Sequence, residues 1–188
     1  AELAAQIQPG AAVADVIERL RTDPAYAAGG VEPFLTKMRD LQARALADLE
    51  GKHFDVPEVV RPIDVKLSAP GTALGAYYIP PSDGFTRPGA VYYAPGADRS
   101  FPLFEEITTA YHEGFPGHHL QCSLQVHFAD RLTTLHRLLV CVSGYAEGWA
   151  LYAEQLMQEL GYLDRPEYVL GMYVAQMFRA CRIVLDIG

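Results

Sequence analysis

His112 and Glu113 stand side by side, and His118 and His119 follow after Gly114-Phe115-Pro116-Gly117. A neutral imidazole is a strong zinc ligand, and a carboxylate beside one can take a proton from water. The arrangement opens like the His-Glu-x-x-His helix of zinc hydrolases. There, two imidazoles four residues apart share a face and the intervening Glu acts as general base. Position 116, where the second imidazole belongs, is proline.

A regular helix cannot repair this. Six residues carry His118 about 9 Å along the axis and about 240° around it, while seven carry His119 about 10.5 Å along the correct face. Zinc–nitrogen bonds are only about 2.0–2.1 Å long. Pro116 opposes the helix by clashing with the carbonyl four residues back, that of His112, and Gly117 opens backbone angles closed to other residues. The helix is therefore expected to break over 114–117 and resume at 118. His118 is the favoured ligand, with His119 behind it or facing substrate.

A third ligand of the gluzincin kind is a Glu on a following helix. Glu147, in Tyr145-Ala146-Glu147-Gly148-Trp149-Ala150-Leu151-Tyr152, sits in apolar company that is costly for a carboxylate without a partner. Gly148 is expected to allow close packing against the motif helix. Glu154 lies seven residues on, about 10.5 Å away on the same face, so one ion cannot take both. It reads as an acceptor for a ligand-histidine N–H or as a surface charge. Tyr111, Tyr145, Tyr152 and Tyr173 are candidate donors to a developing oxyanion, and Arg179 and Arg182 can pair with a carboxylate of protein or substrate.

Three stretches must position these groups. Residues 1–56 read as helical: Val13, Val16, Ile17 and Leu20 share a face, Asp23-Pro24 ends that helix, and a second runs from Glu32-Pro33 to Glu50 before Gly51. Residues 57–100 read as a small antiparallel sheet with strands at 63–67, 73–79 and 90–93. Residues 101–188 read as helices near 104–114, 118–128, 132–160 with a break, and 166–186. The fold class is α+β, mainly helical and zincin-like, the sheet packed with a helical active-site region. The three stretches form one catalytic domain. The apolar pattern runs to Ile187, as in a chain that continues beyond it.

The 188 residues are half hydrophobic and carry a net charge of −8. An acidic chain lacks the Lys/Arg stripe that a nucleic acid requires. No apolar stretch approaches the roughly 20 residues of a membrane span. Cys122, Cys141 and Cys181 form no close pair and read as buried thiols, which favours a reducing, cytoplasmic compartment unless an export or lipoprotein signal lies outside this sequence. Oligomeric state is open.

The runs at 112–121 and 147–154, with Phe-Arg-Ala-Cys-Arg-Ile-Val-Leu-Asp-Ile-Gly at 178–188 and Arg-Pro-Gly-Ala-Val-Tyr-Tyr at 87–93, strongly resemble the bacterial family "domain of unknown function 885". The resemblance implies kinship with gluzincin peptidases. By it His112, His118 and Glu147 map to ligands of Zn2+ and Glu113 to the general base toward a peptide substrate. Members are longer and continue beyond 186–188 into further helices. Two other readings compete: an inactive zincin-like binding domain, and a di-metal carboxylate bundle. The bundle needs paired Glu-x-x-His motifs, and only Glu50-Gly51-Lys52-His53 fits that spacing.

Overall fold

The computed structural model describes residues 1–69, 71–73, 75–94, 101–140 and 142–187. Helix α1 (Glu2–Ile7) and α2 (Val13–Thr22) lead to α3 (Val31–Leu49). The α2 face predicted from spacing buries Val16 and Leu20, while Val13 stays exposed. Asp23 ends α2 and caps the following Pro24–Tyr26 turn by accepting from Ala25 N–H. Gly51 follows α3 with φ +72°, the left-handed geometry that glycine adopts without steric cost.

Strands β1 (Ile63–Leu67), β2 (Tyr77–Ile79) and β3 (Gly89–Tyr93) form a sheet in the order β1-β3-β2. The sheet is mixed rather than antiparallel: β1 pairs parallel with β3 (Val65 opposite Val91), and β2 pairs antiparallel with it (Tyr78 opposite Val91). Strand β2 lies beyond the place that β3 fills, and β3 runs between its two predecessors. The stretch between Leu67 and Gly89, which contains β2, exceeds the roughly a dozen residues that the crossover of a parallel pair needs. The central position also explains why β3 reads Gly-Ala-Val-Tyr-Tyr without alternation. It rules out β3 as an edge that adds a peptide strand. Of the strand expected over 73–79 only Tyr77–Ile79 forms, and Leu74 lies outside the described residues.

The second helical region comprises α4 (Leu103–Glu113), α5 (His118–His127), α6 (Thr134–Leu138), α7 (Ser143–Glu159) and α8 (Pro166–Ile187). The expected break within 132–160 falls between α6 and α7, next to Cys141, which lies outside the described residues. One core takes residues from all three stretches of sequence, among them Phe34, Met38, Val91, Ile107, Leu120 and Met157. A second, smaller cluster of Ala4, Val16, Leu20, Phe104 and Leu170 fastens α1 and α2 to α4 and α8.

Two further sequence expectations differ from the structure. Cys181 is exposed on α8 and Cys122 half-buried on α5, so neither is a fully buried thiol. Helix α8 is long and apolar enough to cross a membrane by length and composition, although the sequence was read as holding no such segment. Isolated charges interrupt its apolar runs without lowering the average much. Its first half is packed, with Leu170, Gly171 and Met172 buried. Its second half exposes Met177, Phe178, Ile183, Val184, Leu185 and Ile187.

Candidate metal centre

Helix α4 ends at Glu113 and α5 starts at His118, so the break spans the four residues expected from Pro116-Gly117. The Phe115–Pro116 peptide is cis. Gly117 is required by contact: a Cβ there would lie 2.0 Å from the His112 carbonyl oxygen and 2.4 Å from that of Tyr111. Gly114 leaves room for the Gln42 amide, which a Cβ would meet at 2.2–2.4 Å and displace.

Gln42, buried on α3, closes the broken helix end. Its Nε2 donates to Ala110 O at 2.8 Å, and its Oε1 accepts from Phe115 N–H at 2.6 Å. Phe115 N–H is a main-chain group that the terminating helix leaves without a partner, whereas Ala110 O also accepts from Gly114 N–H at 3.0 Å. From the other side the Trp149 indole N–H donates to Pro116 O at 2.9 Å and Gly117 O at 3.2 Å. The break is thus pinned by α3 and α7, and α7 is the helix that carries Glu147.

The pinned geometry brings His112, His118 and Glu147 together. One ligand atom from each lies within 4.8 Å of the others. Glu147 Oε2 is 3.2 Å from His112 Nε2, and its Oε1 is 3.7 Å from His118 Nε2. The two imidazoles meet edge to face with centroids 4.9 Å apart. A tetrahedral ion with bonds near 2.0–2.1 Å separates its donor atoms by roughly 3.3 Å. Two imidazoles and one carboxylate are a donor set that suits zinc.

His112 is buried and its other nitrogen is engaged: Nδ1 lies 2.7 Å from Glu154 Oε1. Thr108 donates to Glu154 Oε2 at 2.8 Å, and Arg179 Nη1 lies 3.1 Å from Oε1. A carboxylate accepting at Nδ1 fixes the tautomer in which Nε2 presents its lone pair to Glu147 and His118. Burial pushes the His112 ring toward neutrality. The Glu154 hydrogen bond and nearby Glu113 outweigh it, so the net shift is upward. His118 is shifted downward by burial and by the His112 charge.

The two glutamates of α7 exchange the environments expected of them. Glu147 is 59% exposed, and Glu154 is fully buried. Apolar neighbours in sequence surround a helix, so they do not report which face is covered. Gly148 has no heavy atom within 4 Å of its Cβ position, so it does not serve close packing against α4. Glu113 is half-buried beside the cluster, and burial first, then Glu147 and Glu154, pushes its carboxyl up to about 7, against the lowering effect of His112 and Arg179. It has no hydrogen-bond partner among the described residues.

The remaining candidates stand outside the cluster. His119 points elsewhere: its Nε2 donates to Val60 O at 2.8 Å and its Nδ1 accepts from Tyr78 Oη at 3.0 Å. Gly89 leaves room for that pair, since a Cβ there would lie 1.9 Å from Tyr78 Oη. Burial holds the His119 ring neutral, down to about 4. It is a buried tie between α5, β2 and the turn at Glu58–Val60. Tyr145 is exposed and lines an apolar cleft between α5 and α7, together with Leu120, Leu124, Phe128, Val142 and Trp149. Arg179 pairs with Glu154. Sequence reading missed Gln42, Thr108 and Trp149. Only Trp149, two residues from Glu147, carried a local signal.

The whole chain, residues 1–188, matches the family model described as "Bacterial protein of unknown function (DUF885)", and the protein belongs to that family. It is similar to "The crystal structure of the putative lipoprotein from Colwellia psychrerythraea", at 30% identity with a TM-score of 0.85. That similarity covers 98% of this chain and 32% of the other, so the chain spans about a third of that relative's length. No curated protein matches.

Proposed function

We propose that this protein is the metal-binding core of a zinc-dependent peptidase of the gluzincin type, with His112, His118 and Glu147 as ligands and Glu113 as general base. One observation carries the reading: the two oxygens of the Glu147 carboxylate lie 3.2 Å from His112 Nε2 and 3.7 Å from His118 Nε2, with one ligand atom from each residue within 4.8 Å of the others. Bound zinc supplies a Lewis acid that polarises a carbonyl and acidifies a water. The rest of the chemistry belongs to the chain. Glu113 accepts the proton of the attacking water and returns it to the leaving amine. Glu154, held by Thr108 and Arg179, orients His112. The apolar cleft between α5 and α7, about 570 Å³, flanks the helices that carry His118 and Glu147 and suits an apolar side chain of the substrate.

The fit argues against a di-metal bundle. Among the described residues one group of potential ligands clusters, and it contains two histidines and one carboxylate. A zincin-like domain that binds peptides without cleaving them has no specific observation in its favour, since Glu113 stands unpaired beside the ligands. The lipoprotein description of the Colwellia relative favours an exported, lipid-anchored whole protein over the cytoplasmic location inferred from cysteine usage.

The test is hydrolysis of a peptide library by the purified whole protein. Cleavage that is abolished by a chelator and restored by zinc is the expected result. Cleavage that persists through exhaustive chelation would sink the reading.

A further inference from the structure

Glu154 is fully buried, and its partners are few: Thr108 Oγ1 and His112 Nδ1 by hydrogen bond, and Arg179 Nη1 as an ion pair at 3.1 Å that lacks hydrogen-bond alignment. An ionised carboxylate withdrawn from water is costly unless it is paired and hydrogen-bonded. Thr108 is neutral, and His112 must also be neutral to serve as a ligand. Arg179 is then the one permanent positive charge in contact with this carboxylate among the described residues.

The position of Arg179 is set far from the site. At Gly171 a Cβ would lie 1.8 Å from the Phe104 carbonyl oxygen, so α8 rests backbone to backbone on the start of α4. Phe104 to His112 is eight residues along α4, and Gly171 to Arg179 is eight residues along α8. Both helices therefore advance about 12 Å. They run side by side in the same direction, and a contact at their starts brings Arg179 level with the His112–Glu154 pair. The cluster of Ala4, Val16, Leu20, Phe104 and Leu170 fixes this register.

We infer that Arg179 is a positioning residue of the metal centre: by pairing with Glu154 it holds the carboxylate that orients His112, and the docking of α8 on α4 thereby sets metal affinity. This rests on the proposed metal reading. It assigns Arg179 a role toward the protein's own carboxylate and none toward the substrate. A carboxylate placed as Glu154 is, directly behind a ligand histidine, typically contributes roughly 10–100-fold to metal affinity, and Arg179 acts through it.

The experiment is zinc affinity by chelator competition at a temperature well below unfolding. It compares the unmodified protein with His112→Ala, Arg179→Met and Arg179→Lys, each checked for fold by circular dichroism. Arg179→Met should bind zinc roughly 10–100-fold more weakly. Arg179→Lys should recover part of the loss, since it keeps the charge but not the planar fork. A purely structural arginine would lower the melting temperature in the Met variant and leave the zinc dissociation constant of the folded protein unchanged, and that outcome overturns the inference. If the unmodified protein binds zinc, His112→Ala abolishes it and Arg179→Met does not weaken it, the metal reading survives and the Arg179 role falls. If the unmodified protein binds no zinc, both fall.

Discussion

Glu113→Gln is expected to lower peptide hydrolysis by roughly 10²–10⁴-fold while leaving zinc content unchanged. Glutamine keeps the volume and position of the side chain but cannot accept the water proton. Glu113 is suited to the role by place as well as type. It follows His112 directly, stands half-buried beside the ligand group, and has no hydrogen bond among the described residues to occupy its carboxylate. Since it is not one of the three clustered ligands, its loss should leave the metal in place. Turnover and zinc content measured on one preparation separate the roles. Undiminished turnover in Glu113→Gln would remove it as the base. Loss of zinc along with turnover would make it a ligand instead.

Gly117→Ala should have a comparably large effect through a different route. The added Cβ would lie 2.0 Å from the His112 carbonyl oxygen, 2.4 Å from the Tyr111 carbonyl oxygen and 2.6 Å from the His112 carbonyl carbon. All three are main-chain atoms and cannot rotate aside. Relief requires His118 to move away from His112, or the end of α4 to shift off Gln42 and Trp149. Overpacking of this kind costs about 2–3 kcal/mol, which is on the order of 5–10 °C in melting temperature for a chain of this length. Zinc affinity should fall with it. Gly148→Ala is the natural control, because nothing lies within 4 Å of its Cβ position, and alanine in a helix interior is favoured over glycine by up to about 1 kcal/mol. Calorimetry and zinc titration of the two variants check both expectations. Equal stability and equal affinity in Gly117→Ala would mean that the break does not set the ligand geometry.

The break was legible in the sequence because its cause is local. Proline at 116 and glycine at 117 act on backbone within a few residues, and the arithmetic of helical rise already excluded a straight path from His112 to either later histidine. The helices were legible for the same reason, their periodicity being a property of each segment alone. The partners of the site were not. Gln42 lies far upstream on α3 and carries no pattern that sets it apart from a surface glutamine, yet it is buried and holds the α4 end of the break through Ala110 O and Phe115 N–H. Thr108 is likewise an ordinary helix residue until α7 brings Glu154 against it. The burial of Glu154 and exposure of Glu147 depend on which face of α7 meets α4. Apolar residues on every side of that helix conceal the answer. Strand order was hidden too, since β1 and β2 are consecutive in sequence but β3 separates them in space.

The most direct test of the account is the metal content of the purified protein after dialysis, by elemental analysis, with His112→Ala as the control. The account predicts about one zinc per chain, lost in the variant. An unmodified protein that takes up no zinc even when supplied with it, or one that keeps its zinc when His112 is removed, would contradict it.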